Sequence, residues 1–152
     1  MVLSDDFSFV SQPEDEQLVK SKILPRYAEG IRFLREKRGN SLKVLWQSMG
    51  STWPYIPDLI AMGVDALGLV DLMAKRTNAL TIKAEFGRDL ALWGGICAAS
   101  ELVTQKEDFL LRKLREDTER LAEGGGYIHA LSGNILPETP PENVLTFFSL
   151  RG

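Results

Sequence analysis

The sequence predicts an α/β protein whose parallel strands are joined by crossover helices. Two observations carry that expectation. Short apolar segments alternate with stretches of helical spacing along the whole chain, which is the pattern of successive βαβ units. The strand interiors around Leu45, Leu67 and Leu92 are nearly continuous apolar runs without polar alternation, as strands covered on both faces require. A chain of 152 residues with 44% hydrophobic and 26% charged residues suits one globular unit. A single domain over residues 1–152 is expected, with residues 1–5 disordered.

Taken in order, residues 6–10 are short and aromatic and read as the end of a strand. Ser11 and Glu14 have capping-box spacing, with Pro13 in the first helical turn. Val19, Ile23, Tyr27, Ile31 and Leu34 then recur at three and four residues, marking one face of a helix that Pro25 should bend. Arg35, Lys37 and Arg38 complement its C-terminal dipole and Gly39 stops it. A strand over 42–47 leads to a short helix opened by Thr52 and Pro54 and ended by Gly63. Residues 64–70 and 90–96 read as strands, separated by a helix over 77–86. Thr104 and Glu107 repeat the capping-box spacing ahead of a long helix carrying Leu110, Leu114 and Leu121. Gly124, Gly125 and Gly126 break that helix, 127–131 is a further strand, and 139–150 is a closing helix. The alternation alone fits an open sheet and a barrel equally.

Composition also excludes several functions. A net charge of −3 with scattered basic residues gives no field for nucleic acid or an anionic membrane. Cys97 is the single cysteine, so no internal disulfide or cysteine-rich metal site can form. Neither a secretory leader nor a span of membrane length is recognisable, and a cytoplasmic location is expected. The glycine run at 124–126 is no phosphate loop, because no Lys-Ser/Thr follows it and it precedes a strand.

Five segments stand out in order: Leu24-Pro25-Arg26-Tyr27, Tyr55-Ile56-Pro57-Asp58-Leu59-Ile60 running into Met62-Gly63-Val64-Asp65, Glu85-Phe86-Gly87 before Leu92-Trp93-Gly94-Gly95, Gly124-Gly125-Gly126-Tyr127-Ile128, and Pro137-Glu138-Thr139-Pro140-Pro141-Glu142. Together they resemble the C-terminal half of the uroporphyrinogen decarboxylase superfamily. The resemblance implies the C-terminal half of a TIM-type β/α barrel, with four to five parallel strands and a ligand site at their C-terminal ends. It also implies a truncated form with an incomplete site, since the half that carries the decarboxylases' essential aspartate has no counterpart here.

Candidate ligand contacts follow from the strand tips. Asp5 and Asp6 fall at the end of the first strand, where two carboxylates suit pyrrole N–H groups or a hydroxylated ligand; two solvated acids near a terminus is the competing reading. Gln47 and Met49 stand two apart and so share one face of a strand. The resemblance places a methyltransferase His-x-Cys zinc pair there and a third ligand near Gly133. An amide, a thioether and a glycine are poor substitutes, and no metal is expected. Asp71, Gly94, Gly95, Ser132 and Asn134 complete the set of candidate substrate contacts. His129 and Cys97 read more readily as packed residues than as catalysts, and no catalytic residue is assigned.

By resemblance, then, the chain is decarboxylase-like, acting without a cofactor on a tetrapyrrole or related polycarboxylate. A corrinoid-linked methyltransferase-like protein without its zinc ligands is the alternative, and a non-catalytic split-barrel subunit is a third. A half barrel leaves sheet edges open, so a homo-oligomer or pairing with a separate N-terminal half is expected.

Overall fold

The computed structural model describes residues 1–39 and 41–150. Five strands form one parallel sheet in the order β1-β2-β3-β4-β5. They are β1 (Val2–Asp6), β2 (Leu45–Met49), β3 (Ala66–Leu69), β4 (Ala91–Gly94) and β5 (Tyr127–Ile128). Helices α1 (Pro13–Leu18) and α2 (Leu24–Arg38) cross from β1 to β2. A 3₁₀ turn (Trp53–Tyr55) and α3 (Ile56–Ala61) lead to β3, and α4 (Ala79–Phe86) leads to β4. Helices α5 (Ala99–Thr104) and α6 (Glu107–Ala122) precede β5, and α7 (Pro141–Ser149) follows it.

The strand order never reverses. Right-handed crossovers in an unreversed series bring the helices to one face, whereas a doubly wound sheet reverses and is covered on both. The fold is therefore a partial β/α barrel. No helix among the described residues is long and apolar enough to cross a membrane.

The core lies between the sheet and its helices. Leu3, Trp46, Leu67, Leu92 and Tyr127 stand in register across the sheet. Of these Trp46, Leu67 and Leu92 are fully buried, each a gain of roughly 1.5–3 kcal/mol on the transfer scale. Phe7 wedges in beyond β1, its ring 5.8 Å from that of Trp46 and 5.2 Å from that of Tyr55. At the opposite end of the strands, Asp65 ties three pieces together. Its carboxylate accepts bonds from the Val44 N–H (2.8 Å), Arg35 Nη2 (3.0 Å) and Lys43 Nζ (3.2 Å).

Several local expectations are corrected. Residues 2–6 are not disordered but form β1, because β2 supplies an in-register partner from Val2↔Leu45 to Asp6↔Met49. The strand thus precedes the aromatic segment at 6–10, whose Phe7 is core instead. The first capping carboxylate is Asp15, not Glu14: it accepts from the N–H groups of Ser11 (3.0 Å) and Gln12 (3.1 Å). Pro25 does not simply bend a helix. A π-helical turn (Val19–Ile23) runs up to it, and a widened turn accommodates a ring that lacks the N–H for an ordinary bond. Thr104 ends α5 rather than capping α6, and its hydroxyl donates back to Ser100 O at 2.8 Å. The helix expected over 77–86 starts at Ala79, and Asn78 caps it, accepting from Thr81 N at 2.9 Å.

Candidate functional site

Alternation along the strands sends the remaining residues to the concave face. Ser4, Gln47, Gly68, Trp93 and Ile128 form one row across it. Gly68 makes room for the row: a Cβ there would lie 3.1 Å from Gln47 Cβ and 3.2 Å from Trp93 Cε3. At the C-terminal end of this row a cavity of about 480 Å³ opens. Gln47 and Met49 wall it from β2, with the Trp93 ring beside them on β4. Asp5 borders it on one side, and Gly133 and Asn134 on the other.

The polar atoms here are partly committed. Gln47 Nε2 donates to Ser4 Oγ at 3.3 Å, across two neighbouring strands. Asp5 accepts a bond from the Tyr27 hydroxyl (3.0 Å) and one from the Asp6 N–H (2.8 Å). Asp5 is the one ionisable residue on the cavity wall, and no Lys, Arg or His joins it among the described residues. Such a wall offers hydrogen-bonding groups of a size and polarity suited to a small polar molecule. Among the described residues it holds no cation for a carboxylate-rich ligand.

The structure thus brings Asp5, Gln47, Met49 and Asn134 together, and it uses the other candidates inside the fold. Asp6 accepts from the Ser8 N–H at 2.8 Å, and bonds from the Ser8 hydroxyl and N–H hold its carboxyl below the usual range. Asp71 clips two turns, accepting from Gly50 N (3.0 Å) and Met73 N (3.1 Å). Ser132 is buried, and its Oγ accepts the Gly95 N–H at 2.7 Å. With Gly94 and Gly95 at φ +77° and +94°, this bond locks the end of β4 to the loop after β5. The lock sets Gly133 and Asn134 at the rim; it is a positioning device. His129 lies away from the cavity, its ring stacked on Phe147 at 4.4 Å and Nε2 donating to Phe147 O at 3.0 Å. Cys97 is fully buried, and burial followed by the charge of Glu101 pushes its thiol up to about 11. It is a packed thiol, not a nucleophile.

Sequence reasoning missed Ser4, Ser48, Val70, Trp93 and Leu131 as lining residues. A large aromatic on one strand beside a glycine on the next was the available signal for Trp93. Register decides which such pairs meet, and register is not written in any one strand.

A methyltransferase shares this fold. The solved methyltransferase from Methanosarcina mazei superposes with a TM-score of 0.66 at 18% identity, over 97% of this chain and 40% of that one. The likeness at that identity concerns fold alone, and the chain spans well under half the length of that protein. No protein-family model matches the sequence, and no curated protein matches it.

The positions that the sequence resemblance marks for zinc, Gln47, Met49 and Gly133, do converge on one cavity. Their chemistry does not fit the ion. An amide bonded to a serine, a thioether and a bare backbone supply neither imidazole nor thiolate. No group of three or more potential metal ligands of the His, Cys, Asp or Glu type occurs among the described residues.

Proposed function

We propose that this chain is the ligand-binding half of a methyltransferase-like β/α barrel, completed by a second polypeptide or a second copy, without zinc chemistry of its own. The supporting observation is the superposition of 97% of this chain on 40% of a methyltransferase, by a sheet whose two outer strands, β1 and β5, each keep one unpaired edge. Both ends carry exposed apolar side chains: Val2 on β1, Ile128 on β5, and Leu145 on α7 at 72% exposure. An uncovered edge with apolar flanks favours association. The concave cavity binds and orients a small polar methyl acceptor through Gln47, Asn134 and Asp5 beside the Trp93 ring. Activation of that acceptor falls to groups on the completing half.

The decarboxylase reading has less support. A polycarboxylated tetrapyrrole needs cations to hold its arms, and the cavity wall has none among the described residues. Asp6, the partner that would join Asp5 on pyrrole N–H groups, is bound to Ser8 instead.

Sedimentation at micromolar concentration, joined to metal analysis, tests the reading. A dimer or larger assembly without stoichiometric zinc is expected. A monodisperse monomer that turns over a carboxylated substrate unaided overturns it.

A further inference from the structure

A second cavity, of about 660 Å³, lies off the concave face and shares no lining residue with the first. Three βα connections enclose it, all at the C-terminal ends of their strands. The segment from Val10 to Glu16 closes one side, Trp53 and Tyr55 form an aromatic wall, and Lys75 and Arg76 reach over from the β3–α4 connection.

Two features set this cavity apart from a packing defect. Arg76 is the single non-glycine residue with positive φ (59°) among the described residues. That strained backbone sets its guanidinium 5.7 Å from the centre of the Trp53 ring. Finally, neither Lys75 nor Arg76 is ion-paired among the described residues, whereas Glu16 across the cavity is engaged by Lys20 at 3.1 Å.

From this arrangement we infer a binding site for a flat aromatic carboxylate. Its ring lies against Trp53, and its single anionic group meets Lys75 and Arg76. The inference is independent of the methyltransferase-like reading, because it concerns a different cavity and a different ligand class.

The test uses the full chain and 2-naphthoate, followed by the tryptophan indole N–H resonances. The Trp53 indole signal, assigned with W53F, is expected to move on titration while that of Trp93 stays. K75A/R76A should weaken binding by about tenfold or more, the loss expected when charge-assisted bonds go. The neutral 2-naphthamide should bind correspondingly worse. R76G supplies a second readout: glycine relieves the positive φ, so its thermal midpoint should hold or rise while affinity falls. Equal affinity for acid and amide, unchanged binding in K75A/R76A, movement confined to Trp93, or no binding to the solubility limit overturns the assignment.

Discussion

The Tyr27 hydroxyl on α2 donates to Asp5 Oδ2 on β1 at 3.0 Å, so the single carboxylate of the concave cavity is held from the helical layer behind it. The same ring packs edge-on against Trp46, 4.7 Å between centres. One side chain thereby couples the core to the site.

Tyr27→Phe keeps the ring contact and deletes the bond. A loss of about 1–2 kcal/mol in urea unfolding is expected, the ordinary worth of a hydrogen bond to a charged acceptor that is partly exposed. Burial, then the bond to Asp5 and its charge, raise the phenol above its usual range. A raised tyrosine stabilises the fold below its unfolded value, so the contribution fades as pH rises past about 10. A pH series comparing parent and variant should converge there.

Asp65 governs the acid side. Burial pulls its carboxyl up, but the Val44 N–H, the Lys43 bond, and the charges of Lys43 and Arg35 together outweigh it and leave the net shift downward. A depressed carboxylate stabilises the fold above its unfolded value and loses that contribution as pH falls through the folded one. Asp65→Asn is therefore expected to cost about 1–2 kcal/mol at pH 7, after discounting for solvent screening. The gap between parent and variant should close as pH drops below about 4. Urea midpoints across pH measure it directly.

Gly95 and Ser132 form the lock at the end of β4. A Cβ on Gly95 would stand 2.7 Å from Leu69 Cδ1 and 2.8 Å from Ala79 Cβ, on a backbone with φ +94°. Gly95→Ala should cost about 2–4 kcal/mol from strain and overpacking combined. Ser132→Ala leaves the Gly95 N–H unpaired and should cost about 1–3 kcal/mol. Because the lock also sets the rim, S132A should broaden the Asn134 amide signals as well. Sharp, unshifted Asn134 signals in that variant would separate the lock from the rim.

The Cys97 thiol, pushed up to about 11 and fully buried, should react with an aromatic disulfide reagent at pH 8 only as fast as the protein opens. Its labelling rate should climb with urea in step with unfolding. Rapid labelling of the native protein contradicts this packing.

Most of the fold was legible from Leu45, Leu67, Leu92 and their neighbours, whose apolar runs mark buried parallel strands; of the cover expected on both faces, the helices supply one, and the concave face opens onto the cavity. The first strand was not, since Val2–Asp6 carries polar residues at Ser4, Asp5 and Asp6 and becomes a strand only through its pairing with β2. Asp5, Gln47, Met49 and Asn134 could be placed at the site because strand tips converge in any such barrel. Asp71 and Ser132 had the same claim on sequence grounds, and local backbone N–H groups took their oxygens instead. The aromatic cavity under Arg76 gave no signal at all: it is assembled from three connections distant in sequence.

Each strand of the sheet touches only those immediately before and after it in the chain. Folding can therefore start at any βαβ step and spread outward in both directions, with no segment waiting on a remote one. Growth by tandem joining is equally simple: a further strand–helix unit spliced at either end adds a stave without rethreading those in place.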